Sequence, residues 1–357
     1  MAKVTRTARP APPVTRPLAK PPSIEDVASG ASVSTATVSR FLNSPHLVAP
    51  ATAERVMRVI EELGYRPNRF AQGLMTRRSF TIGIVLPDIH GEFYSELLRG
   101  ADAEAHRRGY HLLVTSEGRG DEAKTISSGP FGLIDGLAIM LTEPNERLWR
   151  AAKGTGLPVV SLDTDPHEPG VDSILIDNAA GAAEAVAHLL GSVPAAQCYF
   201  AGGPRDNFDT IQRARAFTAA LTRLGHTPRP EQVVYGSYLP EWGRTWAQRM
   251  LGPHMPNPIG VMAANDEIAY GVLDAFQQAG VSVPDHARIV GFDDSRLASL
   301  LRPRLSTVRV PLLEVGAAAV DALVDRIENR DAPVVSRKLP TRLIIRESSR
   351  PSSPSMP

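Results

Sequence analysis

From Phe80 onward, short apolar runs alternate with amphipathic stretches. The runs TIGIVLP (81–87), YHLLVTS (110–116), DGLAIML (135–141), PVVSLD (158–163), CYFAGG (198–203), IGVMAA (259–264) and ARIVGFDD (287–294) have the length of strands. Between them, 95–108, 179–191, 212–224, 241–251 and 267–279 read as helices. This alternation predicts open, mostly parallel α/β sheets, and the length of the chain argues for two doubly wound subdomains. Ahead of Phe80 the pattern is all-helical. Ser23 precedes Ile24, Val27, Ala28 and Ala31, one apolar face, with Asp26 as the acidic half of a capping box. Ser34 opens a second short helix whose Val38, Phe41 and Leu42 face inward, which leaves Thr35, Ala36, Ser39 and Arg40 on the other face. A third helix begins near Pro50, is expected to bury Val56, Val59, Ile60 and Leu63, and stops at Gly64.

Charge divides the chain at the same place. The 357 residues carry a net charge of +1, but residues 1–80 hold 12 Lys/Arg against 5 Asp/Glu, and the remainder hold 27 against 33. A basic first part ahead of an acidic body suggests a polyanionic partner for the first part only. Residues 1–22, with six prolines, read as a disordered basic arm, and 349–357 as a disordered tail. No apolar run is long enough to span a membrane, and the basic, proline-rich start lacks the apolar segment of an export signal, so a cytoplasmic protein is expected. The single cysteine, Cys198, lies in an apolar run and reads as a buried thiol. The nine histidines show no paired ligand spacing, so no metal is expected. GGPR (202–205) lacks the Lys-Ser/Thr of a phosphate loop and reads as a turn. No nucleophile elbow or Ser/His/Asp grouping stands out, so neither an enzyme nor a cofactor is expected.

Two short helices joined by a tight turn, the second with a small polar face, have the geometry that enters a major groove, although three-helix packing has other uses. The wording is more specific. SIEDVASGASVSTATVSRFLN, RVMRVIEELGYRPNRFAQGL and TIGIVLPDIHGEFYSELLRG, followed in order by VDSILIDNAAGAAEAVAHLL, AANDEIAYGVLDAF and ARIVGFDDS, resemble the lactose/galactose repressor (LacI/GalR) family from Ser23 to about Ser348. The resemblance implies a helix-turn-helix domain over 23–67, a hinge helix over 68–78 and a periplasmic-binding-protein-like core over 79–348. The core's N-subdomain is expected at about 79–177 and 308–331, and its C-subdomain at about 178–307 and 332–348. It further implies that Thr35, Ala36 and Arg40 read base edges, a role suited to a guanidinium that meets guanine and to methyl groups that meet thymine. Ser34 and Thr37 would hold phosphates, and Tyr65, Asn68 and Arg69 the backbone near the hinge. Leu74 would wedge into the minor groove. Three departures are expected to weaken the domain. Ser32 replaces a turn glycine, which could cost roughly a kcal/mol or two. Gly30 stands for a larger apolar residue, and Ala49 for a serine cap. The domain is accordingly expected to melt below the core.

Residues 68–75 are too few for a stable isolated helix, and Gly73 weakens them further, so this hinge would fold only where a partner hinge and DNA reward it. In the core, ligands bind at the carboxyl ends of the strands. Asp163, Asn265 and Asp293 lie at such ends, and Asp266 reads as a helix N-terminal charge. The resemblance adds Arg213 and Tyr238, with Phe93 and Tyr94 opposite, and this set suits a sugar or sugar derivative. Ile211 and Trp242 depart from the family pattern; Trp242 is expected as a larger wall, and a nucleoside stacked on Tyr238 or Trp242 is an alternative ligand. With no leucine heptads near the C-terminus, a homodimer on a palindromic double-stranded operator is expected rather than a coiled-coil tetramer. The sequence therefore reads as a ligand-responsive transcriptional regulator that represses sugar-utilisation genes. A solute-binding component of sugar transport is the competing reading, and operator position would decide activation against repression. SSGPFG (127–132) interrupts an expected helix without a physical account.

Overall fold

A computed structural model describes residues 22–65, 78–116, 133–141, 146–163 and 170–350. The chain divides into two compact units, Met1–Arg77 and Arg78–Pro357.

The first unit holds three helices: α1 (Ile24–Gly30), α2 (Thr35–Asn43) and α3 (Pro50–Leu63). The capping box forms as the sequence predicts: the Asp26 amide donates to the Ser23 hydroxyl at 3.3 Å, and the Ser23 amide donates to the Asp26 carboxylate at 2.7 Å. Val27, Ala28, Ala31, Val38 and Val56 form a small buried core, with Phe41, Leu42, Val59, Ile60 and Tyr65 packed around it. Leu63, expected inside, is 42% exposed. The chain reverses through Gly64 (φ 60°), the Tyr65 amide bonds the Ile60 carbonyl at 3.0 Å, and Tyr65 closes that end of the core in its place. Gly30 is also not the hole its size suggests. A Cβ there would lie 2.7 Å from Val59 Cγ1, so Val59 already fills the space.

The second unit contains two six-stranded sheets. The first lobe has the strand order β11-β5-β4-β3-β1-β2, all parallel. Its strands are β1 (Thr81–Leu86), β2 (His111–Ser116), β3 (Gly136–Met140), β4 (Val159–Leu162), β5 (Asp172–Ile176) and β11 (Ser336–Leu339). The second lobe has the order β12-β10-β9-β8-β6-β7, parallel except for β12 against β10. It is built from β6 (Cys198–Gly202), β7 (Val233–Tyr235), β8 (Ile259–Ala263), β9 (Ala287–Asp293), β10 (Ser306–Arg309) and β12 (Arg342–Ile344). Both lobes are doubly wound, with a strand-order reversal at β1 and at β6, where such folds form their ligand crevice.

The first lobe holds α4 (Gly91–Arg107) and α5 (Glu146–Gly154); the second holds α6 (Asn178–Leu190), α7 (Phe208–Arg223), α8 (Pro240–Met250), α9 (Asp266–Gln278) and α10 (Arg296–Leu300), and α11 (Leu312–Glu328) packs along α4. The α4–α11 approach needs glycine on both sides. A Cβ on Gly100 would collide with the Leu313 carbonyl, and one on Gly316 with the Leu97 carbonyl.

Two subdomain boundaries differ from the sequence reading. The strand at 336–339 pairs with β5, so the chain returns to the second lobe after Leu339 rather than at 331, and Val308 and Arg309 belong to the second sheet. Three of the four residues of this edge strand are exposed, so no apolar run marks it. Ser349, expected in a disordered tail, is buried, and its hydroxyl bonds those of Ser306 at 2.7 Å and the His188 ring at 2.8 Å. Among the described residues no helix is long and apolar enough to cross a membrane, and no group of three or more His, Cys, Asp or Glu could hold a metal ion.

Candidate functional site

In the first unit, α2 opens at Ser34, whose hydroxyl accepts from the Thr37 amide at 3.2 Å and lies 2.9 Å from the Thr37 hydroxyl. Burial of Val38 on one side leaves Thr35, Ala36 and Arg40 exposed together on the other. Ser32 adopts φ 53°, the left-handed turn that the sequence reading anticipates, and Ala49 gives α3 no side-chain cap. Tyr65 is half-buried against the three-helix core. Asn68, Arg69, Gly73 and Leu74 lie outside the described residues, as does the SSGPFG segment.

In the second unit, a cavity of about 660 Å³ opens between the carboxyl ends of the two sheets, a size that suits a small ligand. Phe93 and Tyr94, from the first turn of α4, meet edge to face at 5.2 Å and line it from the first lobe. Arg213, Tyr238, Asn265 and Asp293 line it from the second. Asp163 follows β4 and is 4% exposed; it is not on the cavity wall itself.

Arg213 organises the second lobe's wall. It is 2% exposed, with its guanidinium 3.8 Å over the Phe292 ring. Nε donates to Asn178 Oδ1 at 2.9 Å and Nη1 to the Ala264 carbonyl at 2.5 Å. Nη2 has no hydrogen-bond partner and stands 3.8 Å from Asp209. Tyr238 donates to Asn207 Oδ1 at 2.7 Å and lies 2.8 Å from the Thr210 hydroxyl, which must therefore be the donor in that pair. Asn265 caps α9 through the Ile268 amide at 2.9 Å, and its Nδ2 donates to the Tyr238 carbonyl at 3.1 Å. Both ends of this amide are thus engaged in holding the wall.

Burial pushes the carboxyls of Asp163 and Asp293 well above the ordinary range, and the Asp209 carboxyl beside Asp163 adds to that push. Asp266 is pushed up to about 7 by burial, although it accepts from Thr307 Oγ1 at 2.5 Å and from the Ser295 amide and hydroxyl at 2.8 Å. Its carboxylate thereby ties α9 to the start of α10 and to β10, a role beyond that of a helix-end charge. Asp294 is held by Arg309 at 2.6 Å and Arg346 at 2.5 Å, so it braces the loop after β9.

Trp242 is not a wall of the cavity. Its indole donates to the Gly202 carbonyl at 2.9 Å and packs over Gly236, where a Cβ would collide with it. A ligand held in this cavity therefore does not meet Trp242. The sequence reading missed Asp209, which lines the cavity four residues before Arg213 on α7. The i, i+4 acid–arginine spacing in DNFDTIQR was the available signal. The buried thiol of Cys198 is pushed up to about 12, as expected of a structural cysteine.

The comparisons with known proteins agree with this geometry. Residues 23–68 match the model of bacterial regulatory proteins of the lacI family, and residues 187–349 match a periplasmic binding protein-like domain. Catabolite control protein A of Priestia megaterium is 32% identical over 332 residues, which cover 92% of this chain and 99% of that one. The lac repressor dimer bound to operator and the anti-inducer ONPF superposes with a TM-score of 0.83 at 25% identity, over 92% of this chain and 99% of that one. A complex of the transcriptional regulator CelR with cellobiose gives 0.70 at 28% identity, over 92% and 100%. The chain belongs to the lacI family of bacterial regulatory proteins. It is a DNA-binding transcriptional regulator of the ligand-responsive repressor type, and the family is one of regulators rather than enzymes.

Proposed function

We propose that the protein acts in the cytoplasm, on the nucleoid, as a homodimeric repressor of sugar-utilisation genes that binds a palindromic operator and responds to a sugar or sugar derivative. The observation that carries this reading is the presence in one chain of an exposed Thr35–Ala36–Arg40 face and a cleft of about 660 Å³ lined by Arg213 and aromatic side chains. Arg40 reaches guanine O6 and N7, and Ala36 and the Thr35 methyl meet thymine methyls. Ser34, Thr37 and Tyr65 position the helix on phosphates, together with Asn68 and Arg69. Leu74 wedges into the central minor-groove step.

In the core, Phe93, Tyr94, Arg213, Tyr238, Asn265 and Asp293 form the effector site together with the buried Asp163, with sugar hydroxyls bonding its polar groups. The related complexes with operator, ONPF and cellobiose support this assignment. A lacI-type DNA-binding domain argues against a transport role.

Selection of random duplex DNA by the purified protein at two salt concentrations tests the reading. A palindrome retained at the higher salt is expected. Arg40→Ala should weaken binding to it roughly ten- to a hundredfold, with specificity relaxed at one base position per half-site. Only salt-sensitive, sequence-blind binding would overturn the proposal.

A further inference from the structure

The chain enters the core through a strained residue. The second unit starts at Arg78, and residues 66–77, ahead of it, lie outside the described residues. Two positions further on, just before β1, Phe80 adopts φ 50° and is exposed. A bulky side chain in the left-handed region, with little burial in return, persists only where its surroundings hold it there. An ordinary strand start needs no such conformation.

Asp135 supplies the hold. Its Oδ1 accepts from the Ser79 amide at 2.7 Å and from the Ser79 hydroxyl at 2.9 Å, and its Oδ2 accepts from the Phe80 amide at 2.8 Å. Its own amide donates to the Thr81 carbonyl at 2.7 Å. Two successive main-chain N–H groups that converge on one anion form a nest, and a carboxylate 55 residues along the chain from Phe80 fills this one. On the other side, the Phe80 ring meets the buried Tyr110 ring at 5.7 Å, and the Phe80 carbonyl accepts from the His111 amide at 2.8 Å. Residues 79–80 are therefore fastened to the residue ahead of β3 and to the first residue of β2. All of these partners belong to the first lobe.

We propose that Asp135 is a positioning residue for operator recognition: it moors the entering chain to the first lobe, so that in the dimer the two DNA-binding units are tethered from fixed points. This rests on the reading of the protein as a dimer on a palindromic operator. Without the carboxylate, Phe80 relaxes to ordinary extended backbone and the tether point is loose. Binding of the operator must then order it, which costs affinity for a correctly spaced site. A wrongly spaced site loses nothing more, because the moored geometry that opposes it is gone.

The test uses the palindrome selected by the full-length wild-type protein, and the same site with two base pairs inserted at its centre, which moves the half-sites about 7 Å further apart. The wild type should bind the lengthened site much more weakly. Asp135→Ala should bind the selected site roughly tenfold more weakly than the wild type, as loss of one charge-assisted hydrogen bond would give. It should bind the lengthened site no more weakly than the wild type does, so the penalty for the insertion shrinks by the same factor. Asp135→Asn keeps one acceptor oxygen and should fall between the two; if the alanine variant does not fold, it carries the comparison alone. An Asp135 that only closes the end of β1 would lower the core's thermal transition and weaken both sites equally. That result, or variants that match the wild type on both sites, overturns the mooring and leaves the dimeric reading standing. If the wild type selects no palindrome, the dimeric reading falls and the mooring with it.

Discussion

Arg40 stands exposed on α2, whereas Arg213 is 2% exposed and bonded to two other segments of the core. The contrast extends to the two units. In the helical unit five small apolar residues hold the fold, and the face proposed to meet DNA takes no part in that packing. In the core the residues of the candidate site are also struts: Arg213 joins α7 to α6 and to the end of β8, Tyr238 binds the loop before α7, and Asn265 caps α9. Recognition can therefore change in the first unit without loss of fold. In the second, recognition and stability share the same side chains.

Arg213→Ala should break this comparison most visibly. It removes the buried cation beside Asp209, Asp163 and Asp293, and loss of one partner from a buried charged set costs about 3–5 kcal/mol. Calorimetry should show the core transition fall sharply while the helical unit's transition stays in place. A core transition unchanged within error would mean that Arg213 serves the ligand alone.

Proton linkage gives a second handle on the core. The folded-state value of Asp266 is raised to about 7, against an ordinary carboxyl near 4, so between those values the folded core holds a proton that the unfolded chain has released. Stability from this group is full below about pH 4, falls as the pH rises, and levels off above about pH 7. The loss should be on the order of 4 kcal/mol, and Asp163 and Asp293, whose carboxyls burial also raises, act in the same direction. Urea denaturation across this range, compared with Asp266→Asn, should show a shallower slope in the variant. The helical unit, which has no buried acid among its described residues, should show no such slope.

The two units also differed in how much the sequence revealed. Helical spacing and capping chemistry are local, so Ser23, Ser34, Pro50 and Gly64 marked the ends of α1 to α3, and the exposed face followed from the buried one. The local pattern misled where a long-range neighbour decides. Leu63 keeps the helical period but is displaced by Tyr65, and Gly30 is small because Val59 occupies its space. In the core, the strands were legible where they are apolar and buried. The edge strand at 336–339 was not, because only its last residue is buried. Strand ends pointed to Asp163 and Asp293. Asp209, which acts on Asp163, and the Ala264 carbonyl, which holds Arg213, come from other segments, and a carbonyl leaves no trace in a sequence.

The smallest expected effect tests a left-handed residue of the helical unit. Ser32 holds φ 53° in the turn between α1 and α2, with its amide donating to the Ser29 carbonyl at 3.2 Å, and its side chain is exposed. A left-handed non-glycine residue costs roughly 1–2 kcal/mol. Glycine removes that cost but loses about 0.5–1 kcal/mol through the greater freedom of the unfolded chain. Ser32→Gly should therefore stabilise the helical unit by about 1 kcal/mol or less, a rise of a few degrees in its transition, with the core transition unmoved. The backbone bond to Ser29 and the Thr35–Ala36–Arg40 face are retained, so the selected operator sequence should be the same for the variant. A destabilised variant would show that the serine hydroxyl supports the turn and that the left-handed geometry carries no net strain here.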